Sequence, residues 1–138
     1  MIFRNGDHKE FYERLMSDGL GGDCYHRALV YTLGICDDTR KRFDEMYDKE
    51  ERCIVPEAIN VAWQTSGSLK VTRLAFNLFT DRIPTAYSGT DNHDFNECRK
   101  YSVSDIFCCG FAPYFVEAIR LRYPEYMGAT GSGGGGAQ

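Results

Sequence analysis

This chain lacks most of the features by which a sequence announces its function. It has no run of about 20 apolar residues able to cross a bilayer, and Met1 to Asn5 leads into charged residues rather than a signal-peptide core. No membrane partner is expected, and the chain reads as cytoplasmic. It has no Cys-x2-Cys knuckle, no repeat with a period of about 20 to 50 residues, and no phosphate loop. Gly19-x-Gly21-Gly22 has neither the Lys-Ser/Thr ending nor the strand-turn-helix setting that such a loop needs. Positive charge is also short, with 16 basic against 20 acidic residues and a net charge of −4. A protein that draws its affinity from neutralising duplex phosphates needs the opposite balance, so nucleic acid is not expected as a direct partner.

What is present is the material of one core. The 138 residues are 43% hydrophobic and 14% aromatic. A chain of this length buries roughly two-thirds of its unfolded surface, which needs no covalent staple. In a reducing compartment the six cysteines read as buried small hydrophobes or metal ligands rather than disulfides.

Hydrophobic spacing predicts a mainly α fold, a compact single-domain bundle of about five to seven helices over residues 1–127. Residues 128–138 are expected to form a flexible Gly/Ser-rich tail. Helix 1 is expected from Asp7 to Ser17 after an Asn5-Gly6-Asp7 cap, and a nearly all-apolar central helix from Cys24 to Leu33 between Asp23 and Gly34. A third runs from Asp38 to Tyr47, and a short one starts at Pro56 and ends at Ala62. Ser68 is read as the cap of a helix ending at Thr80. Val103–Cys109 and Pro113–Tyr123 complete the set, with Ser102 or Ser104 as the cap of the former. Residues 81–102 carry Pro84, Gly89 and Thr90-Asp91-Asn92, and read as a long irregular loop or small hairpin. Long loops often carry function, which makes this segment the expected functional surface and Asp91 and Asp94 candidate partner-binding residues.

Three constellations could carry chemistry. Thiolate and imidazole are the ligands zinc prefers, and His93, Cys98, Cys108 and Cys109 are the set that could hold one structural zinc; the alternative is no cofactor. A cysteine nucleophile with a base, for instance Cys108 with His26 and Glu57, would give a hydrolase, although no family signature flanks any cysteine. Finally, polar residues interrupt apolar helices, among them Arg27, Trp63, Arg73 and Arg120. Buried charges require partners, so Arg73 with Glu117 or Arg27 with Glu57 are expected internal pairs. Otherwise Arg27, Trp63, Arg73 and Arg120 would line a pocket for an anionic ligand such as a nucleotide.

Residues 7–12, 25–35, 63–67 (Trp63-Gln64-Thr65-Ser66-Gly67), 73–78 and 111–126 resemble an uncharacterised family of small proteins, a domain of unknown function. The resemblance covers nearly the whole chain to Met127. It implies an origin on phages, plasmids and conjugative elements of Gram-positive bacteria, where small accessory proteins are often counter-defence factors, and it supplies no catalytic residues. The leading expectation is therefore a non-enzymatic inhibitor that binds a host immune effector such as Cas9, in the manner of an anti-CRISPR protein. The alternatives are a sponge for an anionic signalling nucleotide and a cysteine-dependent hydrolase.

Overall fold

The computed structural model describes residues 1–85 and 97–128. Among these residues the fold is mainly α, with one two-stranded antiparallel pair.

Helix α1 spans Gly6–Leu15. The Asn5 side chain accepts from the His8 amide at 2.9 Å, satisfying one of the first-turn donors that have no partner within the helix. The helix runs past its expected end at Ser17 into a single π turn, Met16–Leu20. Gly19 stops it, with φ at 103°, a conformation that a side chain would strain. Helix α2, Cys24–Leu33, has the expected bounds, and its cap Asp23 accepts from the His26 amide at 2.8 Å. It is the centre of the molecule: Ala28 through Leu33 are fully buried, and α2 packs most extensively on α5 (Ser66–Thr80) and next on α7 (Ala112–Arg122). Thr32 and Thr72 enter this core because each hydroxyl donates to the carbonyl four residues earlier.

The expected third helix divides. Helix α3, Asp37–Lys41, and α4, Phe43–Met46, meet at Arg42, whose φ and ψ of −112° and 28° leave the helical region. Tyr47 then departs into β1 (Tyr47–Asp48), which pairs with β2 (Cys53–Ile54) in the register Tyr47↔Ile54. Four residues apart, the Phe43 and Tyr47 rings stack at 5.4 Å. Asp48 closes the intervening turn by accepting from the Glu50 and Glu51 amides, both at 3.0 Å.

After a 3-10 segment at Pro56–Asn60, α5 starts two residues before the predicted Ser68. Its cap is Thr65, and Thr65 and Ser68 exchange side-chain to amide bonds as a capping box. Ser68 is thus the third residue of the helix rather than its cap. Of the segment read as a loop or hairpin, residues 97–99 are helical and 86–96 lie outside the described residues. Helix α6, Val103–Phe107, is capped by Ser102, and a 3-10 turn at Pro124–Tyr126 follows α7.

Gly34, the cap of α2, is required by contact rather than by conformation, since its φ is an ordinary −78°. A Cβ there would lie 2.8 Å from Phe11 Cδ2 and 2.9 Å from His8 Cδ2. Both neighbours are rings locked in the core, so Gly34→Ala is expected to cost about 2 kcal/mol in chemical denaturation. An unchanged midpoint would show that α1 can shift away from α2 without loss.

Candidate functional site

Two concave surfaces and two buried polar networks hold most of the polar residues singled out in the sequence. The first surface is a groove of about 550 Å³ between the N-terminal residues, α2, α7 and the last turn. Ile2, Val116, Leu121 and Met127 give it an apolar lining, and Arg27, Glu117 and Arg120 supply the charge. Met1 (63%), Ile2 (50%), Val116 (43%) and Met127 (38%) are the exposed large apolar side chains of this rim. Arg27 is held by donating to the Gly21 carbonyl at 2.8 Å, not by Glu57. Arg120 stands 4.0 Å from Glu117 one turn earlier on α7, at an exposed position where such a pair contributes little. Two of the expected binding residues, Arg27 and Arg120, are therefore brought to one groove.

The second surface is a cavity of about 540 Å³ at the N-terminal end of α5, lined by Ser66, Leu69, Lys70, Arg73, Arg99, Lys100 and Asp105. Arg73 is buried, and its partner is Glu97, at 3.1 Å, where the sequence reading placed Glu117. Arg73 and Arg120 accordingly line different surfaces. Trp63 belongs to neither lining: the Arg42 guanidinium lies 4.8 Å from its ring centroid. Lys70, Arg99 and Lys100 were not read as site residues. Lys70 and Arg73 are three apart on α5, a spacing that puts them on one face, whereas Arg99-Lys100 sat in a stretch without periodicity.

The first polar network is Asp23, His26 and Tyr47. His26 Nδ1 donates to the Asp23 carboxylate at 3.0 Å, and Nε2 lies 2.7 Å from the Tyr47 hydroxyl. Partial burial opposes ionisation of Asp23, but its bonds from the His26 amide and ring hold its carboxyl below the usual range. Burial pushes the Tyr47 phenol up, so its proton stays on oxygen. The chain resembles a catalytic relay in order only: Tyr47 is 1% exposed, so no substrate reaches its hydroxyl. The bonded partners of the two His26 ring nitrogens are thus Asp23 and Tyr47 rather than Cys108 or Glu57.

The second network centres on Arg122, which is buried at the end of α7. Its Nε donates to the Leu78 carbonyl at 2.9 Å and its Nη2 to Asp81 at 2.7 Å. The guanidinium also lies 3.7 Å from the Tyr25 ring centroid and 4.5 Å from that of Tyr123. Tyr25 in turn donates its hydroxyl to Asp81 at 3.2 Å. Three elements, α2, α5 and α7, are joined at this point.

Of the proposed zinc ligands, Cys98 and Cys109 are partly buried and Cys108 is exposed, while His93, like Asp91 and Asp94, lies outside the described residues. Cys109 Sγ donates to the Ile106 carbonyl at 3.6 Å. Among the described residues no three His, Cys, Asp or Glu side chains are gathered around one point, and no helix is long and apolar enough to cross a membrane.

The described residues form a small, mainly helical domain whose concave surfaces include one largely apolar groove and one cationic cavity. The chain belongs to a family of unknown function, DUF6075, whose model matches residues 1–132. Neither a curated protein nor a solved structure matches it.

Proposed function

We propose that the protein is a non-enzymatic binding protein whose working face is the groove between α2 and α7, and that its partner is a bacterial immune effector of the Cas9 type. Inhibition would follow from occupying a surface that guide or target nucleic acid needs. The observation that carries the binding reading is the groove itself: exposed Ile2, Val116 and Met127 beside two guanidinium groups. Partner-facing surfaces concentrate their energy in such apolar anchors with arginine at their edge. Two buried histidines also favour binding over catalysis, because both ring nitrogens of His8 and of His26 already have partners. The choice of partner rests on the mobile-element character that the sequence resembles, with the acidic balance consistent with a protein that meets a nucleic-acid-binding surface.

The test is co-elution of the purified protein with Cas9 and loss of DNA loading by the complex. Val116→Asp and Arg120→Glu, both at exposed positions, are expected to weaken binding by about 1 to 3 kcal/mol each while leaving the thermal midpoint unchanged. Failure to bind any of several Cas9 orthologues would remove the partner. Full binding by both variants would remove the groove.

A further inference from the structure

We propose that the cationic cavity at the start of α5 is a binding site for a small oligophosphate, a ligand carrying two or more adjacent phosphoryl charges. The cavity shares no lining residue with the groove between α2 and α7, so this site stands apart from the partner-binding reading.

Charge is the first argument. Lys70, Arg73, Arg99 and Lys100 line the cavity, and the nearby carboxylates are Asp105 and Glu97. Two positive charges remain unbalanced there, on a chain whose net charge is −4. The carboxylates are also poorly distributed for neutralising the cations. Glu97 alone serves both Arg73, at 3.1 Å, and Lys100, at 3.6 Å. Lys70 donates to the backbone carbonyl of Asp105, which orients the ammonium without cancelling its charge. Arg99 has no carboxylate partner among the described residues.

Arg73 supplies the second argument. It is 7% exposed, yet its Nε is a buried donor with no acceptor among the described residues. Buried guanidinium donors are normally satisfied, and Arg73, whose guanidinium has Glu97 as its one bonded partner among the described residues, keeps donor capacity at the cavity wall. The third argument is the helix itself. Ser66 lines the cavity at the first position of a 15-residue helix, and Thr65 and Ser68 satisfy each other, leaving the Ser66 and Gly67 amides as the donors with no capping partner.

Together these features select the ligand class. A single carboxylate would leave the cavity positive, and a long nucleic acid would have to pass an acidic protein. The volume falls in the range of small-molecule sites. No aromatic ring is among the lining residues, so recognition is built on phosphoryl oxygens and not on stacking of a base.

Titration calorimetry at low salt with pyrophosphate, ATP and adenosine tests this. Pyrophosphate and ATP should bind with similar affinity, and adenosine should not bind. Arg99→Ala and Lys70→Ala, at exposed or half-buried positions that leave the fold intact, should each weaken pyrophosphate about tenfold, the loss of one charge-assisted contact. Arg120→Ala should leave it unchanged. The proposal is overturned if pyrophosphate gives no binding at millimolar concentration, if the Lys70→Ala/Arg99→Ala double variant binds as the wild type does, or if a single-stranded oligonucleotide binds more tightly than ATP.

Discussion

Arg122→Ala should destabilise the fold by about 4 kcal/mol, the largest effect expected of any single truncation here. The side chain is buried, and its bonds to the Leu78 carbonyl and Asp81, its contact with Cys24 Sγ and its packing on two rings end with it. The Leu78 carbonyl loses its donor near the end of α5, where helix carbonyls have no partner within the helix. Asp81 loses a 2.7 Å charge-assisted bond, and the Tyr25 and Tyr123 rings lose the cation packed against them. Asp81 is about half exposed, so its carboxylate regains water and the loss stays near the middle of the range for a broken buried pair. Arg122→Lys keeps the charge but not the planar fork, and should cost about 2 kcal/mol. Tyr25→Phe removes only the exposed 3.2 Å hydroxyl bond and should cost about 0.5 kcal/mol. Urea denaturation of the three variants reads this order directly. A cost below about 1 kcal/mol for Arg122→Ala would mean that α5 and α7 are held by apolar packing alone.

That hub shows what kind of information a sequence of this type withholds. Arg122 stands out in the sequence only as a polar residue in the seam of the last helix. Its role needs a carbonyl from α5, a carboxylate at Asp81 in the left-handed region and a ring from α2 to converge, and no spacing rule encodes that convergence. The same holds for Arg73, whose partner lies 24 positions away at Glu97 rather than on α7. Elements governed by local rules were legible: Asp23 as a cap, ten residues of apolar helix and Gly34 place α2 without tertiary information. The start of α5 was legible in principle, because Thr65-x-x-Ser68 fits a reciprocal cap, but three neighbouring hydroxyl residues compete for that role. The break at Arg42 was hidden because Arg40, Lys41, Arg42, Asp44 and Glu45 suit the water-facing side of one continuous helix, with Phe43, Met46 and Tyr47 spaced to face the core. Two-residue strands such as Tyr47–Asp48 are too short to show alternation. Of the candidate site residues, the arginines were identifiable by type, and their division between groove and cavity was not.

The second large effect is a loss of stability on mild acidification, set by one histidine. His8 is completely buried between α1 and α2. Its two contacts fix the neutral tautomer: Nδ1 accepts from the Arg4 amide at 3.0 Å, and Nε2 must donate to the Tyr31 carbonyl at 2.8 Å. A second ring proton would point at an amide that can only donate. Burial, with the nearby Arg40 and Arg4 charges adding to it and the Tyr31 carbonyl opposing, lowers the folded-state pKa from 6.5 to about 4. Above pH 6.5 the ring is neutral in both states and its contribution is fully present. Between pH 6.5 and about 4 the unfolded chain takes up a proton that the folded chain refuses, so stability falls by about 1.4 kcal/mol per pH unit. The total lost is about 3 kcal/mol, after which both states are protonated and the slope from this group vanishes. Asp23 contributes in a lower window, because its carboxyl titrates below the ordinary 3.8 and its stabilisation disappears only as the pH falls through that depressed value. Urea midpoints measured from pH 7 to pH 4 should therefore decline steadily, and His8→Gln, which can accept from Arg4 and donate to Tyr31 without titrating, should flatten the decline. A profile in His8→Gln as steep as that of the wild type would move the acid sensitivity to another group.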